Sequence, residues 1–346
     1  MGAAACLVTG GAGFIGSHLV HELVRRGHAV RVVDDLSTGD RANLDRVAAD
    51  VDFIVADLRD PDVCARAVRG IEVVFHVAAL PSVPRSFSDP WKSHDVNVNA
   101  TMHLLGACTA AGVRRVVYSS SSSVYGDTAV LPKGEAVEPL PRSPYAVSKL
   151  AGEQYLLALA RAGVLEGVAL RYFNVFGPRQ SPDSPYAAVV PLFLRAALEA
   201  TVATVYGDGE QTRDFTYVAN VVAANILAAQ GPADVVSGWT CNVGAGDRVS
   251  LLELLELVGQ VTGRPVRWQH VPARAGDVRD SQADLTRARS VLGYEPCVTL
   301  EEGLRATWEW FHPHAALPHE PERQPGPSVR APTRATPVAA GSNRRS

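Results

Sequence analysis

The chain is 346 residues long, more than one hydrophobic core usually needs, so its length predicts one large α/β domain with an appended lobe, or two domains. Hydrophobic residues make up 47% of the chain and charged residues 20%, proportions that exclude a wholly disordered protein. A net charge of -3 gives no electrostatic basis for nucleic acid as the main partner.

The cysteines and the apolar segments bear on the compartment. The cysteines are odd in number, widely spaced and without a C-x-x-C pair, which predicts neither a disulfide framework nor a zinc site: Cys6, Cys64, Cys108, Cys241 and Cys297. The N-terminus lacks the basic residues and long apolar stretch of a signal peptide, and no later segment is apolar for long enough to span a bilayer. We therefore expect a cytoplasmic protein with no metal and no membrane partner.

The first half of the chain alternates short apolar runs with amphipathic stretches such as His18–Arg26 and Val98–Ala111. The runs are rich in β-branched residues and predict six strands, at Ala4–Thr9, Ala29–Asp34, Val51–Ala56, Val73–Val77, Val113–Ser119 and Val168–Tyr172. Continuous apolar strands with helices between them predict a parallel sheet covered on both faces. Residues 1–173 are thus expected to form a doubly wound, Rossmann-type α/β domain.

After about Asn174 the pattern changes to shorter elements punctuated by proline and glycine. Helices are predicted at Ala188–Ala200, Val218–Gln230, Ser250–Thr262, Leu285–Leu292 and Leu300–Trp310. We expect residues 174–312 to form a smaller C-terminal α/β substrate lobe over the carboxyl ends of the strands, with later segments returning to the first domain. Residues 313–346 are rich in proline, alanine, serine and arginine, which predicts a disordered tail.

A glycine-rich loop follows the first predicted strand and opens the first helix. Gly10, Gly13 and Gly16 allow a tight turn and a close approach of the backbone to a pyrophosphate, whose charge the helix N-terminus favours. Glycines at a strand-to-helix turn are weak evidence alone, but the second strand ends in Asp34, where an acid can accept both ribose hydroxyls. Asp57 ends the third strand at the same edge. The acid at Asp34 would repel a 2′-phosphate, so the pattern favours NAD over NADP.

Tyr145 and Lys149 are four residues apart after Pro144, which is placed as at a helix start, so both side chains face the same way. An ammonium close to a phenol favours the phenolate, and Lys149 together with the positive nicotinamide of bound NAD would lower the pKa of Tyr145 from its ordinary value of about 10. Taken alone, a Y-x-x-x-K pair is usually only a surface feature of a helix. A second signal is needed before the pair can be interpreted as catalytic.

The serine run from Ser119 to Ser123 supplies that signal, because it directly follows a predicted strand and so lies at its carboxyl end. Hydroxyls there can bond the reacting oxygen of a substrate while Tyr145 takes its proton. A serine nucleophile is the alternative, yet no G-x-S-x-G elbow surrounds the run and no His or Asp is placed to activate it. Hydride transfer therefore fits the residues better than acyl transfer.

Together these motifs resemble the extended short-chain dehydrogenase/reductases. The resemblance runs from about residue 4 to 311, and within the family it is strongest to the nucleotide-sugar 4-epimerases. Its segments are Thr9–Gly16, Asp57–Leu58, His76–Ala79, Asn97–Thr101, Ser119–Asp127, Tyr145–Lys149, Arg171–Pro178, Gly207–Gly209 and Arg213–Phe215.

The resemblance implies a mechanism. Tyr145 would deprotonate the 4-hydroxyl of a nucleotide sugar, with Ser121 bonded to the same oxygen, while hydride passes from C4 to NAD. Return of the hydride to the other face of the 4-keto sugar would invert C4, and NAD would stay bound. Dehydratases and decarboxylases of the superfamily place acidic residues just after that hydroxyl, whereas this chain has Ser122 and Ser123. The resemblance therefore favours an epimerase over a dehydratase or decarboxylase.

The resemblance also implies contacts at both ends of the site. For the cofactor these are Gly10, Gly13, Phe14, Ile15, Gly16, Asp34, Asp57, Leu58, Ala78, Ala79, Asn99, Ser119, Tyr145, Lys149 and Tyr172. For the substrate they are Ser82, Ser121, Ser123, Tyr145, Asn174, Ala188, Val189, Tyr206, Arg213, Arg274, Asp277 and Ser281.

The sugar itself is left between several candidates. Ser281 matches a position where a bulky residue in some epimerases excludes N-acetylated sugars, and a serine leaves room. UDP-glucuronate epimerases commonly carry Thr at the Asn174 position and Arg-Pro-Asp where this chain has Ser181-Pro182-Asp183, which counts against that substrate. We expect UDP-glucose or UDP-N-acetylglucosamine and their C4 epimers. Relatives commonly form homodimers through helices near Val98–Ala111 and Tyr145–Ala160, which implies the same assembly here.

Overall fold

A computed structural model describes residues 4–183, 187–273 and 278–314 of the chain. The strands are β1 Ala5–Thr9, β2 Ala29–Asp34, β3 Val51–Val55, β4 Val73–His76, β5 Arg115–Ser121, β6 Glu166–Tyr172, β7 Val175–Phe176, β8 Val202–Tyr206, β9 Thr212–Arg213, β10 Thr216–Tyr217, β11 Trp239–Val243, β12 Val249–Ser250 and β13 Arg267–Val271. The α-helices are α1 Phe14–Arg25, α2 Pro61–Ala67, α3 Val83–Ser88, α4 Pro90–His94, α5 Ala100–Ala111, α6 Pro144–Arg161, α7 Val189–Glu199, α8 Val218–Gln230, α9 Ala233–Val236, α10 Leu251–Thr262 and α11 Leu300–His314.

Seven parallel strands form the central sheet in the order β11-β6-β5-β4-β1-β2-β3. The strand order reverses at β1, which pairs with β2 on one side and with β4 on the other. At such a reversal the crossovers leave toward opposite faces, so a crevice opens at the carboxyl ends of the two strands. The predicted doubly wound α/β fold is confirmed, and the crevice lies between the ends of β1 and β4.

Alternate residues along each strand pack against opposite layers of helices. On one face Val8 and Val32 pack with α1 and α8, and on the other face Leu7 and Val33 pack with α2, α5 and α6. Side chains of a strand alternate in direction, so a strand that is apolar throughout is buried on both faces. This double burial explains the apolar runs of β1, β2, β4, β5 and β6, whereas β3 is an edge strand with partly or fully exposed residues. The runs located all six strands to within two residues at each end.

A third cluster of buried residues lies outside the central sheet. The parallel pair β8–β13 packs with α7, α10 and α11 around Phe193, Leu254 and Leu304. Two short pairs, β7–β10 and β9–β12, accompany it. Helices α7, α8, α10 and α11 occur where the sequence predicted them, whereas Leu285–Leu292 contains a π-helical turn at Ala288–Leu292.

None of the strands after β6 was predicted, and one of them, β11, belongs to the central sheet. β11 follows α8 and α9 and pairs in parallel with β6, so the chain returns to the edge of the central sheet after residue 174. Its buried polar residues, Thr240 and Asn242, hid it from an analysis based on apolar runs. At the other end of the chain α11 reaches His314, so the predicted tail lies outside the described residues from position 315 onward.

None of the described helices is long and apolar enough to cross a bilayer. Within residues 4–183, 187–273 and 278–314, no group of three or more His, Cys, Asp or Glu side chains is placed to hold a metal ion.

Candidate active site

A cavity of about 1030 Å³ opens at the carboxyl ends of the central strands. It brings together 21 of the residues that the sequence analysis singled out, from the glycine loop, the ends of β2 to β6, helix α6 and the later segments. They are Gly10, Gly13, Phe14, Ile15, Gly16, Asp34, Asp57, Leu58, Ala78, Ala79, Ser82, Ser119, Ser121, Ser123, Tyr145, Lys149, Tyr172, Asn174, Ala188, Arg213 and Ser281.

The remaining predicted residues do not line this cavity or cannot be placed in it. The amide of Asn99 donates to the Asp95 carboxylate at 2.9 Å on the protein surface. Val189 packs against the third apolar cluster, and Tyr206 ends β8 with its carbonyl oxygen 2.6 Å from the amide nitrogen of Gln211. Two further residues, Arg274 and Asp277, lie outside the described residues.

The glycine loop leaves room for a ligand in the cavity because glycine has no side chain. Gly10 has a φ of 68° in the left-handed region, and its N–H donates to the carbonyl of Val33 at 2.8 Å. A Cβ on Gly16 would collide with the carbonyl oxygen of Gly10. Gly13 precedes α1 in an extended conformation, so the helix N-terminus faces the same space. A loop that only glycine can form, ending at a helix N-terminus, fits a bound pyrophosphate.

Asp34 has two neighbours that already use its carboxylate. Ala12 and Leu36 each donate a backbone N–H to it at 2.9 Å, so the acid also holds the loop in shape. Burial raises the pKa of Asp34, and these N–H donors oppose that rise. The two N–H groups bond different carboxylate oxygens. Each oxygen can accept more than one hydrogen bond, so both can still accept from hydroxyl groups.

Asp57 carries a partner that the sequence analysis missed. Arg59 donates to its carboxylate from Nε at 2.8 Å and from Nη2 at 2.6 Å, and its Nη1 reaches Asp95 at 3.1 Å. The guanidinium lowers the pKa of Asp57. Arg59 itself lines the cavity, and its position two residues after a strand-ending acid was the available signal.

Helix α6 aims Tyr145 and Lys149 into the cavity. Ser143 caps the helix by accepting the N–H of Ala146 at 3.1 Å, and Pro144 occupies the first turn. Residues four apart then lie on one face, which places Tyr145, Lys149 and Glu153 in a row along the helix. The cap therefore fixes where the predicted pair points.

Two effects act in opposite directions on the pKa of Tyr145. Burial raises the pKa of its phenol, and a side-chain hydrogen bond with Ser121 opposes the rise. Lys149 is 3% exposed, and burial lowers its own pKa to about 7, with the charge of Glu153 acting in the opposite direction. Its Nζ lies 4.6 Å from the ring centre of Tyr118. Desolvation, which the sequence does not show, is the largest effect on both groups.

The serines at the end of β5 have distinct partners. Ser121 Oγ accepts from Ser123 N at 3.2 Å and is 2.9 Å from Ser123 Oγ, so these hydroxyls form a pair beside Tyr145. Ser119 bonds the hydroxyl of Tyr172 at 2.9 Å, while Ser120 donates to Glu153 at 2.6 Å. Ser119 and Ser120 thus support neighbouring side chains, whereas Ser121 is the serine that bonds the phenol.

A buried ion pair supports this arrangement from behind. Arg171 bonds Glu153 through Nη2 at 2.6 Å and through Nε at 3.0 Å, and both side chains are less than 5% exposed. A bidentate pair of this kind fixes both partners in orientation. Glu153 was not singled out from the sequence, although its spacing of four residues from Lys149 and eight from Tyr145 was a usable signal.

Comparisons with known proteins bear on this cavity. Residues 6–244 match the family described as the NAD dependent epimerase/dehydratase family. A UDP-glucose 4-epimerase of Mycolicibacterium smegmatis is 42% identical over 309 residues, which covers 88% of this chain and 97% of that protein.

Two solved structures are also similar to the chain. One is a UDP-N-acetylglucosamine 4-epimerase from Methanobrevibacter ruminantium in complex with UDP-N-acetylmuramic acid, with 38% identity, a TM-score of 0.85, and coverage of 91% of this chain and 100% of that one. The other is a Thermus thermophilus UDP-glucose 4-epimerase in complex with NAD, with 37% identity, a TM-score of 0.82, and coverage of 90% and 100%.

Proposed function

The chain belongs to the NAD dependent epimerase/dehydratase family, and on this premise we propose that it uses bound NAD to epimerise UDP-hexoses at C4. The observation that carries the proposal is that one cavity holds the glycine loop and the hydrogen-bonded pair of Ser121 and Tyr145. A relative that is 42% identical over 88% of the chain is named a UDP-glucose 4-epimerase.

The chain's own residues fit NAD. The loop from Gly10 to Gly16 and the N-terminus of α1 would hold the pyrophosphate, and the free acceptor capacity of Asp34 would take the ribose hydroxyls. Ala78, Ala79 and the other predicted cofactor residues that line the cavity would form its walls. When bound, NAD supplies a nicotinamide that accepts the C4 hydride and returns it to either face of the 4-keto sugar.

Tyr145 and Ser121 would move the proton. Tyr145 takes the proton of the 4-hydroxyl and later gives it back, and Ser121 holds the same oxygen by a hydrogen bond. Since burial raises the pKa of Tyr145, its phenolate needs positive charge nearby. Lys149, which lines the same cavity, would supply part of that charge when it is protonated.

The absence of an acid after Ser121 favours epimerisation over elimination. Ser122 and Ser123 follow it, and the next side chains, Val124 and Tyr125, are fully buried. Loss of water from the sugar would need a carboxyl group to handle protons at neighbouring carbons. A 4,6-dehydratase or a decarboxylase is therefore the second candidate.

The wall opposite the glycine loop would bind the substrate. Arg213 would provide a donor for the diphosphate, and Ser82, Asn174, Ala188 and Ser281, which line the same cavity, would contact the sugar. Arg274 and Asp277 are proposed as further substrate contacts from the sequence alone. A serine at position 281 leaves room for an N-acetyl group, so we propose UDP-glucose and UDP-N-acetylglucosamine with their C4 epimers as substrates, and UDP-glucuronate as the alternative.

The test uses purified protein without added NAD. UDP-glucose, UDP-N-acetylglucosamine and UDP-glucuronate are incubated separately, and the products are resolved by chromatography and mass. Products of unchanged mass with inverted C4 are expected from the first two. A loss of mass equal to one water molecule would instead assign elimination, and a loss equal to one carbon dioxide molecule would assign decarboxylation.

We also propose how the chain is organised and where it works. Residues 1–173 form the NAD-binding domain, which β11 rejoins, and residues 174–312 form the UDP-sugar lobe. All five cysteines are free thiols, which supports a reducing cytoplasm. Apolar side chains on α5 and α6, namely Met102, Val147 and Tyr155, are 37%, 53% and 46% exposed, which supports a homodimer through these helices.

A further inference from the structure

Lysine is rare in this chain, and its positions are not scattered. Of 33 lysine and arginine residues only three are lysines: Lys92, Lys133 and Lys149. All three line the active-site cavity. An ammonium is a compact charge with three rotatable donors, which a planar guanidinium does not replace. Lys149 has a proposed role beside Tyr145, whereas Lys133 has none so far.

Lys133 is a buried cation with few partners. It is 1% exposed, and its Nζ donates to the carbonyl oxygen of Gly126 at 3.1 Å. Among the residues that the structure describes, that bond is the only hydrogen bond or ion pair of the ammonium. Two of its three donors therefore remain available, and a buried charge is costly unless it is paired.

The nearest carboxylates are occupied by other groups. Asp127 and Asp280 raise the pKa of Lys133, while burial, the largest effect, lowers it. Asp127 accepts from Arg142 Nη1 at 2.9 Å and from Arg279 N at 3.1 Å, and Asp280 accepts from the hydroxyl of Thr212. Neither acid forms an ion pair with Lys133.

The backbone around Lys133 holds it firmly in the cavity wall. Its N–H donates to Gln282 at 2.8 Å, and its carbonyl oxygen accepts from Asp284 N at 3.0 Å and from Asn242 Nδ2 at 2.7 Å. These bonds place Lys133 beside the segment that carries Ser281, a residue of the same cavity. The ammonium is thus tied to the wall where the proposed substrate would lie.

We propose that Lys133 is a substrate-contacting residue whose ammonium donates to an oxygen acceptor of the bound UDP-sugar. The inference rests on the proposed function, because a UDP-sugar brings the acceptors that the wall lacks. These acceptors are the diphosphate oxygens and the oxygens of the sugar. The diphosphate oxygens and the sugar oxygens could each accept hydrogen bonds from the two available N–H groups. The experiment therefore has to distinguish these two kinds of acceptor.

The experiment compares Lys133→Met, which keeps the apolar stem, with Lys133→Gln, which keeps a donor for Gly126. Dissociation constants of UDP, UDP-glucose and UDP-N-acetylglucosamine are measured by calorimetry on the NAD-containing protein, together with kcat and KM. We expect both variants to keep their NAD and to bind the UDP-sugars about 10- to 100-fold more weakly, as for a lost bond to a charged donor. Arg305→Met, at an exposed cation of α11 outside the cavity, is the control and should bind as the wild type does.

The ligand series identifies the acceptor. Weaker binding of UDP and both UDP-sugars alike assigns the diphosphate, and weaker binding of the UDP-sugars alone assigns the sugar. Unchanged dissociation constants in Lys133→Met, or wild-type values in Lys133→Gln, overturn the proposal, since the bond to Gly126 would then be the whole role. If Lys133→Met does not fold, Lys133→Gln decides. A wild type that binds UDP-sugars but turns none over would refute the proposed function while leaving the binding comparison valid.

Discussion

The phenol of Tyr145 is subject to opposing effects. Burial raises its pKa and the hydrogen bond with Ser121 lowers it, and burial is the larger of the two. A tyrosine in this state is an effective base only when positive charge is close to it, and Lys149 four residues away is one source of such charge. The proposed reversible proton transfer therefore depends on that charge.

Tyr145→Phe tests that role directly. The substitution removes one oxygen, so the protein should fold and keep its NAD, while kcat falls about 10²- to 10⁴-fold because general base catalysis is lost. Absorbance of the purified protein and an epimerisation assay measure the two quantities. Tyr155→Phe, on the exposed side of the same helix, is the control. Near-normal turnover in Tyr145→Phe would remove the phenol from the reaction.

His76 lies at the end of β4 with both ring nitrogens in use. They are each 2.8 Å from a threonine hydroxyl, of Thr9 on one side and of Thr101 on the other. The ring is 1% exposed, and burial lowers its pKa from 6.5 to about 3. The folded protein thus keeps a neutral imidazole in a pH range where the unfolded chain binds a proton.

This difference predicts how His76 contributes to acid stability. Between pH 6.5 and 3 the unfolded state holds more protons at this site, so the contribution is lost as the pH falls, by about 1.4 kcal/mol per pH unit. The free energy of unfolding, measured by denaturant titration from pH 6.5 to 4, should fall less steeply in His76→Gln than in the wild type. The difference between the two slopes is the relevant quantity, because Asp214, with a pKa raised to about 6, contributes with the opposite sign. Parallel slopes would contradict the assignment.

At this scale the sequence located the proposed reactive groups in one cavity but did not show their electrostatics. The spacing of Tyr145 and Lys149 follows from helix geometry, and it was sufficient to place both side chains in one cavity. Desolvation of those side chains, and the Glu153–Arg171 pair behind them, depend on residues that meet only after folding.

The glycine loop and the helix that follows it act as one element. Gly16 lies in the first turn of α1, directly over the Gly10 carbonyl, so the two glycines allow the helix to start close to the strand. The close approach is what leaves the helix N-terminus open to the cavity.

Gly16→Ala should disturb this approach. The added methyl group would displace the Gly10 carbonyl, and we expect a loss of about 1 to 3 kcal/mol of stability together with reduced NAD retention. Gly259→Ala in α10, where a Cβ meets only one atom at ordinary contact distance, should instead stabilise the protein by about 1 kcal/mol. Thermal unfolding and NAD content of both variants are measured side by side. Equal behaviour of the two variants would show that the loop tolerates a side chain.

Among the elements, β1 to β6 could be predicted and β11 could not. Of the first six strands, all except the edge strand β3 are buried on both faces and are therefore apolar, which the sequence shows directly. Asn242 of β11 is buried because its amide bonds Tyr125 and the Lys133 carbonyl, partners more than 100 positions away in the chain. Hydrogen bonds to partners so distant in the chain leave no pattern in the local sequence.

The exposed apolar residues of α5 and α6 concern the whole molecule. Met102, Val147 and Tyr155 would be buried by a second copy of the chain, which supports the proposed homodimer. Tyr155→Glu should shift the mass measured by light scattering from dimer to monomer, because a charge would enter an apolar interface. Val235→Glu, at an exposed residue of α9, should leave the mass unchanged. A monomeric wild type would contradict the proposal.

The position of β11 in the chain also affects folding during translation, because β11 is synthesised well after β6, the strand it pairs with. During translation, β6 has no neighbour on one side until the ribosome has released the residues up to Val243. Until then its edge offers unpaired N–H and C=O groups to other chains, and the buried Glu153 lacks the Thr240 hydroxyl. A chain terminated after residue 173 would keep that edge permanently, so such a fragment is expected to aggregate rather than to persist as a small nucleotide-binding protein.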